Sequence, residues 1–358
     1  MIRNTKSKYS NLKLSTKNGK STIEVVDDYK YLGMWISKTN KKHIDSLELK
    51  GKRSSYFTAK ILKEFGHING CLLKDTFEML TVSKLKYCAE FCLDDNLRSL
   101  NKIQYQFYKR FCNLKITTPN YCVIGEFGIK PIEFHFFKAA LGYWTKIITS
   151  EENSLTRKIY EQIYNNINES HYSKTWVCQI KKLLHKLQLQ DLWTKQAEAN
   201  RNVYKILIGT RLDDYFREEW INSAKHSHKG KNYLELARFD CSLKPYLNFV
   251  VKDKSIGHML KIRTCNHTLS VEIDRYQNRK TYDECICKAC DLNQVEDLFH
   301  VIVACPKYSD LRVKYLPFVN QIINTADLYT IMNELSVKQI KQLSEFIVNV
   351  EDIRIKLK

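Results

Sequence analysis

Between residues 287 and 305 the chain spaces three cysteines and a histidine as C-x2-C-x9-H-x4-C, the members being Cys287, Cys290, His300 and Cys305. Thiolate sulfur and imidazole nitrogen are the ligands zinc favours, and the C-x2-C pair can hold one ion from a single tight turn. Four protein ligands complete a tetrahedral shell and leave no position for water or substrate. The expected cofactor is therefore a structural Zn2+ rather than a catalytic one. An isolated reduced cysteine usually packs as a small apolar residue; four ligand-type residues in so short an interval, with polar residues between them, argue against that here. Cys285 stays open as a replacement for Cys287, at the looser spacing C-x4-C.

Bringing these side chains together requires a tight turn under Cys287–Cys290 and roughly one helical turn that carries His300 and ends at Cys305. The rest of the chain is predicted mainly α, with a short β-hairpin at the amino end, a helical bundle, a helical connector and a small zinc-stabilised module near the carboxyl end. With 5 Pro and 11 Gly in 358 residues, helix is favoured over strand. The β region is confined to residues 1–37. Within it, Ser21–Val26 and Tyr29–Ile36 are β-branched or aromatic runs separated by Asp27-Asp28, which reads as a hairpin. Helical stripes follow: one through Leu47, Tyr56, Ile61 and Phe65, broken by Gly66 and Asn69-Gly70; a second from Leu72 to Leu85; a third through Leu97, Ile103 and Phe111. Thr117–Pro131 reads as a loop entering a short helix. Further amphipathic helices are centred on Phe136–Ile148, Trp176–Trp193 and Ile206–Ile221, their aromatic stripes read as core. Asp310 opens another helical segment, and a mixed apolar and charged helix runs from Leu343 to Leu357.

Composition narrows the partner. Lys plus Arg number 58 against 39 Asp plus Glu, a formal charge of +19. Such a surplus calls for a polyanion, nucleic acid first. It is uneven, with 23 basic against 11 acidic residues in 1–118 and 35 against 28 thereafter. Lys41, Lys42, Lys50, Lys52, Arg53 and Lys60 are the candidate phosphate contacts. No apolar run approaches the ~18 residues of a membrane span, so no membrane partner is expected. The start Met1-Ile2-Arg3-Asn4-Thr5-Lys6 lacks the apolar core of a signal peptide. The 12 cysteines then read as reduced or metal-bound in an intracellular protein, nuclear or cytoplasmic.

Several separated segments resemble one family. Arg263, Asn266, His267, Leu269 and Glu272 precede the cysteines as R-x-x-N-H-x-L-x-x-E, and Glu296-Asp297-Leu298-Phe299-His300 leads to Cys305-Pro306-Lys307-Tyr308. This is similar to the carboxyl-terminal zinc-binding region of reverse transcriptases of non-LTR (LINE-type) retrotransposons. Asp274 stands where that family has a glycine, so a different local turn is expected. Val26-Asp27-Asp28-Tyr29-Lys30-Tyr31-Leu32-Gly33 resembles the hairpin after the family's catalytic palm. By that resemblance Tyr31, Leu32 and Gly33 would support a primer end through backbone contact. Val82–Phe91 resembles the family's thumb helices, Thr117–Pro131 matches a T-P-N-x-x-V-x-x-E-x-G-x-x-P segment, and Leu183–Trp193 echoes its helical connector with Gln188 replacing a common glycine.

The resemblance implies a palm-end hairpin over 1–37, a thumb-like bundle over 38–118, a connector over 119–255, a zinc module over 256–316 and a helical tail over 317–358. It covers about residues 1–316. The aspartate pairs Asp27-Asp28, Asp94-Asp95 and Asp213-Asp214 read as polar turn, connecting segment and helix surface, not as the carboxylates of a two-metal polymerase site. His226-Ser227-His228 has a two-ligand spacing but no partner ligands nearby and reads as a polar loop. With no nucleophile–base pair, phosphate-cradling loop or open metal site, the chain is expected to bind RNA, DNA or their hybrid without being an enzyme by itself. Its expected partners are such nucleic acids, the element's own RNA, or a polymerase half preceding it. Two alternatives stand beside this: a zinc-stabilised protein-interaction remnant of the element, and a part of a longer RNA-directed DNA polymerase.

Overall fold

The computed structural model describes residues 12–16, 19–23, 26–37, 39–93, 95–169, 175–196 and 200–356. It is mainly helical, as the periodicity predicts. Two hairpins, β1 (Leu12–Thr16) with β2 (Gly19–Ile23) and β3 (Tyr29–Tyr31) with β4 (Met34–Ile36), precede α1 (Lys41–Glu64), α2 (Gly70–Phe77), α3 (Ser83–Leu85), α4 (Arg98–Phe111), α5 (Asn120–Phe127), α6 (Ile132–Ile148), α7 (Leu155–Asn165), α8 (Trp176–Lys186) and α9 (Gln190–Thr194). Then follow α10 (Arg201–Lys225), α11 (His228–Leu236), α12 (Lys254–Arg263), α13 (Ser270–Gln277), α14 (Ser309–Tyr315), α15 (Thr325–Glu334) and α16 (Val337–Lys356).

The expected hairpin across Asp27-Asp28 does not form among the described residues. Instead β2 pairs with β1, and the second hairpin turns at Leu32-Gly33, between Tyr31 and its partner Met34. Leu32 has φ 44° and Gly33 φ 88°. Two left-handed residues in a two-residue loop match the right-handed twist of antiparallel strands, and glycine takes the second position without strain. The predicted helix over Trp176–Trp193 is likewise two helices. Gln188, at φ 56°, ends α8 in the left-handed conformation, where the chain breaks before α9. Asp274, expected at a turn, lies inside α13, and its carboxylate accepts from Asn278 Nδ2 at 3.1 Å just beyond the helix.

The chain divides into two compact units, each assembled from separated segments. The first comprises residues 1–54, 82–103 and 132–212. Its interior is built on Trp144, fully buried and stacked near Trp193 and Tyr204. Trp144 Nε1 donates to Tyr160 Oη at 3.0 Å, and that hydroxyl donates to Gln196 Oε1 at 2.7 Å, so the polar atoms of this aromatic cluster are satisfied where water is excluded. Gly51 lets α1 close on the core; a Cβ there would fall 2.8 Å from Ile103 Cδ1.

The second unit comprises residues 55–81, 104–131 and 213–358. An aromatic group of Phe77, Phe107, Tyr108 and Phe127 fills part of its core. The tail is integral to it: α16 lies along α12 and α14 and buries Ile340, Leu343, Phe346 and Val350. Beyond hydrophobic packing, His258 Nδ1 meets Ser344 Oγ at 2.8 Å, and Arg354 reaches Glu296 at 2.7 Å. Among the described residues no helix is long and apolar enough to cross a membrane.

Candidate metal centre and basic helix face

Backbone pairing brings the four predicted ligands together. Ile286 and Val295 form an antiparallel bridge, Cys287 N donates to Gln294 O at 2.8 Å and Glu296 N to Cys285 O at 2.8 Å. This small ribbon folds the segment carrying Cys290 back over itself. His300–Ala304 then winds as a π-helical turn, closed by Cys305 N donating to His300 O at 2.6 Å. In an α-helix, residues five apart point about 140° from one another. The wider π turn reduces that divergence, so His300 and Cys305 can present ligands to one point. The helix turn expected from spacing is present, but with the pitch the ligands need.

The ligand atoms of Cys287, Cys290, His300 and Cys305 all lie within 4.8 Å of one another. Cys290 Sγ stands 3.4 Å from His300 Nε2. Zinc bonds of about 2.3 Å to sulfur and 2.05 Å to nitrogen at a tetrahedral angle would put those atoms about 3.5 Å apart. The imidazole is oriented for such a role: its Nδ1 lies 3.0 Å from Gln294 Oε1, and a hydrogen donated there leaves Nε2 to face the sulfurs. Asp297 holds the start of the turn, accepting from His300 N at 2.8 Å. Cys287, His300 and Cys305 are buried and Cys290 partly so. Burial pushes the Cys287 thiol up and the Cys305 thiol up to about 12, and it pushes the His300 imidazole down. Three thiols crowded out of water favour proton loss only when a cation joins them, which is what a divalent ion supplies. These residues fit a metal ion.

Cys285 is resolved by the same geometry. It is fully buried, but its Sγ donates to Thr281 O at 3.2 Å and it stands outside the ligand group.

The residues predicted to touch nucleic acid occupy two places. Tyr31, Leu32 and Gly33 form the exposed β3–β4 turn; the Leu32 carbonyl accepts from Tyr87 Oη, so that backbone group is already engaged. Lys41, Lys42, Lys50, Lys52, Arg53 and Lys60 all lie exposed on α1. Lys42 pairs with Asp28 at 2.7 Å and sits over the Trp35 ring; Lys52 pairs with Glu48 at 2.5 Å. Neither is as available to a phosphate as its neighbours. Among the described residues Lys41, Lys50, Arg53 and Lys60 make no ion pair. Helical spacing places Leu49, Lys52, Arg53, Tyr56, Lys60 and Lys63 along one stripe, opposite the buried Leu47, Thr58 and Leu62. Tyr56, which helical periodicity places in an apolar stripe with Leu47 and Ile61, is 77% exposed. Its cationic neighbours at i−3 and i+4 were the signal for a solvent-facing position.

One set of residues escaped the sequence reading. Glu126, in the Thr117–Pro131 segment, and Arg263, opening the R-x-x-N-H segment, form a fully buried ion pair at 2.9 Å. Tyr233 and Tyr246 donate to the same carboxylate at 3.1 and 2.7 Å. Thr118 and Asn266 hydrogen-bond at 3.0 Å, joining the same two segments a second time. Glu126, set among Val123, Ile124 and Phe127, was the local hint of a buried charge. No protein-family model, curated protein or solved structure matches this chain.

Proposed function

We propose that the chain is a nucleic-acid-binding module, the post-catalytic portion of a non-LTR retrotransposon reverse transcriptase, that engages RNA, DNA or their hybrid through α1. The observation that carries this reading is the exposed stripe of α1, in which cations flank a solvent-facing Tyr56. Lys and Arg at that spacing neutralise successive phosphates, and an aromatic ring between them offers a base a stacking surface. The formal charge of +19 gives long-range attraction of the right sign. The contact between the Thr117–Pro131 and R-x-x-N-H segments supports the family resemblance, since two separately matched motifs build one buried network.

In this reading the metal is Zn2+ and its role is mechanical. Cys287, Cys290, His300 and Cys305 would hold it; bound zinc cross-links the ribbon to the π turn and adds folding energy to a stretch with little core of its own. Phosphate and shape contacts rather than base-edge readout are expected from a face of long flexible cations. Polymerase activity would belong to a longer protein that supplies the paired carboxylates.

The test is binding of the purified chain to labelled RNA and to an RNA–DNA hybrid across a salt series, with zinc determined on the same sample. A steep fall of affinity with salt and about one zinc per chain are expected, because each neutralised phosphate releases counterions. Zinc without salt-sensitive binding would move the function to protein interaction, and well-folded protein without zinc would remove the metal assignment.

A further inference from the structure

The positive charge of α1 is not equally free along its length. In the first half Lys42 is paired with Asp28 and Lys52 with Glu48, and Asp45 lies exposed on the same stripe. Beyond that point Arg53, Tyr56, Lys60 and Lys63 are all exposed and follow one another on successive turns. Among the described residues these three cations make no ion pair, and Tyr56 makes no ring contact or hydrogen bond. At 1.5 Å per residue the four occupy about 15 Å of helix. Ser55 and Ala59 flank them on one side, Phe57 and Glu64 on the other, so the free charge forms a single row.

We propose that the second half of α1 is a single-strand site, in which one unpaired base of RNA or DNA stacks on Tyr56 while Arg53, Lys60 and Lys63 neutralise the phosphates on either side of it. The inference rests on the nucleic-acid reading of α1 and narrows it, making double helices, the RNA–DNA hybrid included, the weaker ligands. An unpaired base offers its whole π-face to a ring, and every base has one, so the contact needs no particular sequence. In a double helix that face is covered by the next base pair, and a side chain reaches it only by unstacking the step. A single row of cations likewise follows one phosphate backbone, whereas a double helix presents two.

The experiment titrates the full chain into a short fluorescein-labelled oligothymidylate and into the same strand paired with oligoadenylate, across a salt series. The proteins are the native chain, Tyr56→Ala, Tyr56→Trp and a triple variant, Arg53→Gln with Lys60→Gln and Lys63→Gln. All four positions are exposed, so the fold should survive, and thermal melts check it. The single strand should bind more tightly than the duplex. Tyr56→Ala should weaken strand binding about fivefold or more, with duplex binding and the salt slope unchanged because no phosphate contact is lost. Tyr56→Trp should match or exceed the native affinity, and the triple variant should reduce the magnitude of the strand's salt slope by about 2. A duplex bound as tightly as the strand, an equal loss on both probes in Tyr56→Ala, or a tryptophan variant as weak as the alanine one overturns the single-strand assignment. If the triple variant still flattens the slope in that case, α1 stands as a phosphate-binding face. A slope that the triple variant leaves unchanged, or no salt-sensitive binding to either probe, removes the reading of α1 and this inference with it.

Discussion

Cys285 and Cys287 are both buried, yet only Cys287 belongs to the ligand group. In the proposed zinc site Cys287→Ser should therefore abolish metal retention, while Cys285→Ser should leave it unchanged, read by metal analysis after gel filtration; the reverse pattern would reassign the ligand. The Glu126–Arg263 pair makes a second residue-level test. Glu126→Leu alone strands a buried cation and should destabilise the protein by about 3–5 kcal/mol, whereas Glu126→Leu with Arg263→Met should recover much of that loss in denaturant melts. If the double variant is no more stable than the single, the carboxylate's two tyrosine donors matter more than the ion pair. His267 gives a pH signature. Burial, then Lys229, Arg354 and Lys115, holds its imidazole down to about 3. Below the ordinary histidine value the unfolded chain binds a proton that the folded one refuses, so stability present at neutral pH falls as pH drops from about 6.5 toward 3. His267→Gln should flatten that part of the stability–pH curve; an unchanged slope would assign it to other groups.

At the scale of elements, periodicity revealed most helices because each buries one stripe against a core. What it could not reveal was where a helix breaks without glycine or proline. Gln188 adopts φ 56° between α8 and α9, a conformation costing about 1 kcal/mol for a residue with a Cβ. Gln188→Gly should accordingly stabilise the chain by about 0.5–1 kcal/mol, seen as a shift of the denaturant midpoint with unchanged slope; a destabilised variant would mean that glutamine contacts outweigh the strain. The carboxyl-terminal tail is the other lesson. Its mixed apolar and charged pattern left open whether it docks on the zinc module or on a partner; α16 covers α12 and α14 and ties Arg354 to Glu296. Glu296 also accepts from Ser270 N at 2.7 Å, so the ion pair reaches the start of α13. Truncation before Val337 should expose that apolar face and lower the thermal midpoint.

For the whole molecule, the charge surplus predicts behaviour that no single contact does. Replacing Lys41, Lys50, Arg53 and Lys60 by glutamine should reduce the magnitude of the salt slope for nucleic-acid binding by about 3, if each neutralises one phosphate. An unchanged slope would place the interface elsewhere. The amino-acid sequence by itself determined the helical class, the basic character of residues 1–118 and the four residues placed to hold a metal ion. These depend on composition, local periodicity and short spacing, which the chain carries wherever it folds. Tertiary structure decided the rest: that Cys285 turns to Thr281, that a π turn aims His300 and Cys305 together, and that Tyr56 faces solvent. It also paired Glu126 with Arg263 across 137 positions of sequence. Such choices come from exclusion of water and from close packing between distant segments, and neither is encoded in any one stretch of chain.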